Sequence, residues 1–340
     1  MSPVEREKYS RQILFPPLGE TGQEMLLRAR VVIVGCGALG SFQAAALARA
    51  GVGEIVVVDR DYVEPSNLQR QWLFDEADAA EGLPKAVAAV RKLAASNASV
   101  RTHAVVADLT PGNAEELLLP AGVILDGTDN FETRYLINDV AVKRGVPWIY
   151  GAAVGSHGVT MPILPGRSAC LACIWPQPPS GAQPTCDTAG ILNAVAALVG
   201  AWQVGEALKI LAGRREAVEP RLVSVDIWKN TFRSIGTSRS DPQCAACGRR
   251  QFSHLEGEGR PRITLCGRNS VQIHERARPL DLGPLRETLG RLGEVRANPY
   301  ALRFFCSPFE MTVFPDGRAI IKGTTDIGVA RSLYARYVGC

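Results

Sequence analysis

The chain has little net charge: 38 lysines and arginines against 34 acidic residues leave +4 over 340 residues. That is too small to make nucleic acid or an anionic membrane a general partner, although the basic excess can be local. The opening MSPVEREKYSRQ lacks the apolar core of a signal peptide, so the expected location is cytoplasmic. Internal repeats and low-complexity tracts are missing as well. Histidine is scarce, and His103, His157, His254 and His274 stand isolated, each reading as a core or surface residue. Only His157, in GAAVGSHG, falls beside an expected cleft. The one long apolar run, Ala189–Gly213, contains Asn193, Gln203, Glu206 and Lys209. Charge in mid-span is costly in lipid, whereas Ala194, Ala196, Ala197 and Gly200 suit close helix packing. A buried helix is expected there, central to the fold or to a dimer interface.

What is present is ordinary in bulk, with 46% hydrophobic and 21% charged residues and room for one large core plus a smaller appended domain. Nine cysteines are an odd count without a secretory signal, which argues against a disulfide framework. Four form two Cys-x-x-Cys pairs, Cys170/Cys173 and Cys244/Cys247, with seventy residues, 174 to 243, between them. Such distant pairs must be brought together by the fold, and four thiolates make a closed, structural zinc shell. Cys36 reads as a small space-filler, and Cys266, Cys306 and Cys340 have no partner spacing.

The most informative stretch is VVIVGCGALG, residues 31–40, followed by EIVVVDRD with Asp59 at its end. An apolar run into Gly35-x-Gly37-x-x-Gly40 and an Ala-rich segment reads as strand, tight turn and a helix whose N-terminus can hold phosphate. Asp59 stands where such a unit places its ribose-binding acid. From Arg30 to about Gly155 the pattern alternates: a helix over Pro84–Ala95, strands at Val100–Ala107 and in GVILDGTDN, a helix over Asn138–Arg144, then VPWIYGAAV. This predicts a doubly wound, Rossmann-like, mostly parallel sheet, with ligands beyond the carboxyl ends of its strands. An amphipathic arm over residues 1–25 precedes it. Trp175–Gly190 reads as an irregular, mobile loop carrying Cys186, with Asp187 or Thr188 capping the following helix. Leu222–Asp226 and Thr231–Ile235 read as strands of the same domain. Beyond RRQFSHLEGEGRPR a small β-α-β-β-α module is expected, Cys266-Gly-Arg-Asn-Ser being a strand and turn within it. The division is thus 1–250 and 260–340.

Several charged positions converge on the same cleft. Asn67 and Arg70 follow Asp59 closely, Lys85 opens a helix, and Arg11 in the arm is a further possible phosphate contact. Asp126-Gly-Thr-Asp129-Asn130 ends a strand, and its carboxylates can hold magnesium, with Asp129 preferred. Asp61 reads as a turn residue. Hydride transfer has no need of several cations and a metal-binding acid, whereas attack at a phosphate does.

Tyr9-Ser-Arg11-Gln12, GCGALG, Ser66-Asn67-Leu68-Gln69-Arg70-Gln71, Gly82-Leu-Pro84-Lys85, Asp126-Gly-Thr-Asp129-Asn130 and the cysteine pairs occur in one order. Together they resemble the MoeB/ThiF branch of the ubiquitin-activating superfamily over roughly residues 5–250. The resemblance implies an adenylyltransferase acting on the C-terminal glycine of a ubiquitin-like sulfur carrier ending in Gly-Gly. Gly35, Gly37 and Gly40 would admit ATP, Asp59 its ribose, and Asn67, Arg70 and Lys85 its phosphates. Asp129 would bind magnesium, with Gln71 and Asn130 supporting from behind. Arg11 would reach the ATP site of a partner subunit, implying a homodimer. The four paired cysteines would hold zinc. Cys186 would attack the acyl-adenylate or carry persulfide sulfur to it, with a sulfur donor protein as a further partner. Three alternatives remain at this point. An NAD-dependent oxidoreductase would share only the turn and Asp59, and a cyclic-threonylcarbamoyl dehydratase would lack the cysteine pairs. A scaffold would bind the carrier without releasing pyrophosphate.

Overall fold

The apolar runs over 31–34 and 55–58 form strands that stop where Gly35 and Asp59 follow. The computed structural model describes residues 1–179, 184–257, 263–265, 270–273 and 280–339. It divides into two compact units, Met1–Glu258 and Gly259–Cys340. The sheet of the first unit contains β1 (Arg30–Val34), β2 (Glu54–Val58), β3 (Arg101–Val105), β4 (Val123–Asp126), β5 (Trp148–Val154), β6 (His157–Ile163), β7 (Arg221–Asp226) and β8 (Thr231–Gly236). Their order is β3-β2-β1-β4-β5-β6-β7-β8. The first five run parallel and the last three antiparallel. This is the expected doubly wound sheet. β1 and β4 bury four residues in succession, as strands covered on both faces do.

The chain leaves β1 toward β2 on one side and reaches β4 on the other, so a crevice opens where their carboxyl ends diverge. Helices Ala38–Ala50, Lys85–Ser96 and Phe131–Arg144 follow β1, β2 and β4. The last begins seven residues before the expected Asn138 start, because the Asn130 carboxamide accepts the Thr133 N–H at 2.8 Å and caps it. Helix Asn193–Leu211 is the expected apolar segment. It alone among the described residues is long and apolar enough to cross a membrane. Instead its fully buried Gln203 donates to the Asp126 and Ile149 carbonyls at 2.9 and 3.0 Å, and accepts from Gln43 at 2.6 Å. Those bonds fasten the helix to the sheet.

Two expectations for loops need correction. Asp187 and Thr188 do not cap the long helix. They lie in a short helix, Cys186–Ala189, whose cap is the Thr185 hydroxyl, and Leu192 precedes the long helix without a side-chain cap. The C-terminal unit holds six antiparallel strands rather than three, in the order β11-β12-β13-β14-β10-β9. They are β9 (Ile263–Leu265), β10 (Ser270–Ile273), β11 (Glu294–Asn298), β12 (Ala301–Cys306), β13 (Phe309–Val313) and β14 (Ala319–Lys322). Helices Leu282–Gly290 and Ile327–Tyr337 contribute Leu282, Leu285, Leu289, Ala330 and Tyr334 to the core formed with Val271, Leu302, Phe304 and Ile321. Cys266, His274 and Cys340 lie outside the described residues.

Candidate nucleotide and metal sites

The turn after β1 is built around contacts that exclude side chains. Gly35 has φ +84°, and a β-carbon on it would sit 2.6 Å from the Gly127 carbonyl oxygen. One on Gly40 would sit 1.8 Å from the Gly35 carbonyl oxygen. Glycine at these two positions lets the turn, the first helical turn and the loop after β4 nest together. Gly37 is different: nothing approaches the corresponding point closer than 3.9 Å. Gly37 is also the N-cap of Ala38–Ala50 and brings no side chain to that role, so the helix N-terminus opens into that space. Cys36 is fully buried in the turn, where burial, ahead of the nearby Asp59 charge, pushes its thiol well up. It is the expected space-filler.

Asp59 follows β2 and faces the turn. Its Oδ2 accepts from the Cys36 N–H at 2.5 Å and its Oδ1 from the Asp61 N–H at 2.6 Å. Burial pushes its carboxyl up to about 6, against the pull of Lys85. Lys85, the first residue of its helix, is buried as well and lies 3.1 Å from Asp61 Oδ2. Burial disfavours its charge, but Asp61 first and Asp59 next outweigh that and raise its pKa. Asp61, expected to be a turn residue, is thus the partner that keeps a buried cation charged beside the cleft. Asp129 adds to the same field, acting on both Lys85 and Arg134.

The 126–130 loop separates its two acids. Asp126 is fully buried and fully engaged: Oδ1 accepts from the Thr128 N–H and hydroxyl at 2.9 and 2.7 Å, Oδ2 from Arg134 Nε at 3.1 Å and the Gly151 N–H at 3.3 Å. It is therefore no metal ligand, which corrects the shared assignment of the loop's carboxylates. Asp129 is exposed at the loop's tip, with Asn130 Nδ2 at 3.4 Å. Asn130 does both jobs: its oxygen caps the helix while its Nδ2 donates to Asp129. Sequence reading missed Arg134. It is buried, and its Nη2 also donates to the Thr128 and Gly151 carbonyls at 2.7 and 3.2 Å. Its position one helical turn past the loop was the available signal.

Asn67, Arg70 and Gln71 share a tight turn. Asn67 is buried and accepts the Glu64 N–H at 3.1 Å, Arg70 donates to the Ser66 carbonyl at 2.9 Å, and Gln71 is buried near Gly37. Arg11 is not brought to this cleft. It is exposed in the short helix Ser10–Ile13, where neighbouring Gln12 donates to the Ala50 carbonyl at 2.9 Å. Ala50 is the far end of the helix that Gly37 opens, about 20 Å away at 1.5 Å per residue. Cys186 is half-buried with Sγ 3.8 Å from the Ala153 carbonyl near the end of β5. His157 is exposed and meets the Ser224 hydroxyl at 2.8 Å.

The cysteine pairs meet. Cys170 Sγ lies 3.9 Å from Cys173 and 3.6 Å from Cys244, Cys173 lies 3.3 Å from Cys247, and all four sulfurs fall within 4.8 Å. Four sulfurs bound tetrahedrally at ~2.3 Å to one ion stand about 3.8 Å apart, so the cluster fits a tetrathiolate metal. The Asp241 N–H reaches Cys173 Sγ at 3.4 Å, and the Leu171 N–H donates to Asn138 at 2.9 Å. The cluster is thereby tied to the same helix that carries Arg134.

Residues 9–246 match the ThiF family. The chain is 46% identical over 336 residues to the sulfur carrier protein ThiS adenylyltransferase of Bacillus subtilis, covering 98% of this chain and 99% of the relative. It is 42% identical over 250 residues to the sulfur carrier protein adenylyltransferase of Thermus thermophilus, covering 72% and 91%. Among solved structures it resembles Escherichia coli MccB with ATP, with a TM-score of 0.60 and 24% identity over 71% of this chain and 74% of that one. With the strand-end glycine turn, its facing acids and three of the four clustered cysteines inside the matched span, and Cys247 one residue beyond it, the chain belongs to the ThiF family.

Proposed function

We propose that this chain adenylates the C-terminal glycine carboxylate of a ubiquitin-like sulfur-carrier protein ending in Gly-Gly. The observation that carries this reading is the convergence of an open helix N-terminus at Gly37, buried Asp59 and Lys85 with half-exposed Asp61 beside them, and exposed Asp129 at the strand ends. The full-length likeness to an enzyme named for the carrier ThiS makes that carrier the first to test. The relatives reported are adenylyltransferases, and the oxidoreductase alternative finds no support among them.

ATP would sit with its phosphates over Gly35, Gly37 and Gly40 and its ribose hydroxyls donating to Asp59. Lys85, kept charged by Asp61, draws the phosphate chain in, with Arg70 and Asn67 alongside. A carrier carboxylate oxygen attacks the α-phosphorus; the bond from that phosphorus to the bridging oxygen breaks and pyrophosphate leaves. The developing charge on pyrophosphate is met by cations already in place, so little reorganisation is needed during the step. Magnesium, held by Asp129, would supply further neutralisation of the phosphate charge. The acyl-adenylate is then open to a thiolate, the role proposed for Cys186 on the way to the carrier thiocarboxylate. A separate sulfur donor protein would complete that conversion.

Zinc is the metal we assign to the four cysteines, in a structural role, because thiolates occupy all four positions. A homodimer accounts for Arg11, which stands too far from its own Gly37 to serve it. Leu198 and Phe232, each at least 40% exposed and both beside Trp202, offer an apolar face for the partner. A cytoplasmic location suits a reaction that consumes ATP. Residues 1–250 would form the adenylation unit, with residues 260–340 an appended module. Carrier-dependent exchange of labelled pyrophosphate into ATP tests the reading.

A further inference from the structure

Gln71 has a place in the cleft that no role given so far explains. It is 3% exposed, and its buried Oε1 has no hydrogen-bond partner. Its backbone is fixed on both sides: its N–H donates to the Asn67 carbonyl at 3.0 Å, and its carbonyl accepts the Phe74 N–H at 3.2 Å. The next residue, Trp72, donates its N–H to the Ser41 hydroxyl at 3.1 Å, which pins the segment to the start of helix Ala38–Ala50. The side chain is thereby carried to the open point over Gly37. Its Nε2 lies 3.9 Å from where a β-carbon would be, and the Gly127 carbonyl oxygen, at the same distance, is the one other atom within 4 Å.

A space at a helix N-terminus bordered by a carboxamide NH₂ suits an anion. The amide donates without carrying a charge. Arg70 and Lys85 supply charge that any polyanion would feel, whereas a single fixed amide supplies one oriented bond.

We infer that Gln71 contacts the nucleotide directly, Nε2 donating to a phosphate oxygen held over Gly37. The inference rests on the nucleotide reading of the cleft and adds to it a residue that recognises the phosphate chain rather than the nucleoside.

Gln71→Met in the full-length chain keeps the side chain's length and removes the donor. Dissociation constants for ATP and for adenosine, the latter by competition, are compared with wild type alongside the melting temperature. The expected result is ATP binding weakened about tenfold to a hundredfold, the range for a hydrogen bond to a charged group, with adenosine binding unchanged within about twofold. Gln71→Glu, nearly identical in shape, weakens ATP binding further and gives the same comparison should the methionine variant fail to fold. Unchanged ATP binding, or equal loss for ATP and adenosine, overturns the assignment. Failure of the wild-type chain to bind ATP at all would overturn the nucleotide reading instead.

Discussion

Arg134 and Asp126 form a buried ion pair beneath the loop that carries Asp129, with Nε 3.1 Å from Oδ2. Burial raises the Asp126 pKa, Arg134 opposes the rise, and neither charge has water to fall back on. Removing one partner of such a pair leaves the other uncompensated, at about 3–5 kcal/mol. Arg134→Met is therefore expected to lose about that much stability in denaturant titration. It should also lose pyrophosphate exchange, because the Thr128 carbonyl that orders the loop loses its donor. A variant of wild-type stability and activity would remove Arg134 from this role.

Asp59 gives the cleft a pH dependence. Its carboxyl, ordinarily near 3.8, is raised to about 6 by burial. A raised folded-state pKa means that the folded chain binds the proton more tightly. The associated stability is full below about 4 and is lost as pH rises to about 6, a change of about 3 kcal/mol. Nucleotide binding runs the other way, since ribose hydroxyls donate to the ionised form. ATP affinity should fall as pH drops below about 6, and Asp59→Asn should flatten both profiles. Calorimetric titration and denaturation between pH 4 and 8 check this, and a flat wild-type profile would contradict it.

The four cysteines predict one zinc per chain by elemental analysis. Chelation or Cys244→Ser should lower the melting temperature before it changes the chemistry, because metal binding here is folding free energy. Even a loss of about 2 kcal/mol would shift Tm by roughly 3 °C in a chain of this size. Zinc far below one per chain, or a variant of unchanged Tm, would remove the assignment.

In the proposed mechanism Cys186 follows adenylation rather than performing it. Cys186→Ala should leave pyrophosphate exchange at wild-type rate and impair sulfur transfer to the carrier, read as thiocarboxylate by mass spectrometry. Loss of exchange would show that the cysteine acts earlier.

Local pattern was enough to locate much of this site. Gly35 and Asp59 sit at strand ends because an apolar run followed by glycine or aspartate has few other structures to adopt. The cysteine spacing likewise called for a cluster before any fold was known. What sequence did not yield depends on partners distant in the chain or on competing local bonds. Asp61 looks like any turn aspartate until Lys85, 24 positions on, reaches it. Asp126 looks like a metal ligand until Thr128 claims one of its oxygens and Arg134 and Gly151 the other. The β11–β12 hairpin escaped notice because Glu294 and Arg296 give β11 an exposed, charged face and leave Val295 as its inward residue. The short Cys186–Ala189 helix was read as loop because Thr185, rather than either proposed residue, caps it.

The most direct test of the central claim is ATP–pyrophosphate exchange by the purified chain, with and without a Gly-Gly-tailed carrier such as ThiS, beside Asp129→Ala. Adenylation predicts exchange that requires the carrier and disappears in the folded Asp129→Ala protein. An absence of exchange across a panel of such carriers, together with binding of NAD, would contradict it.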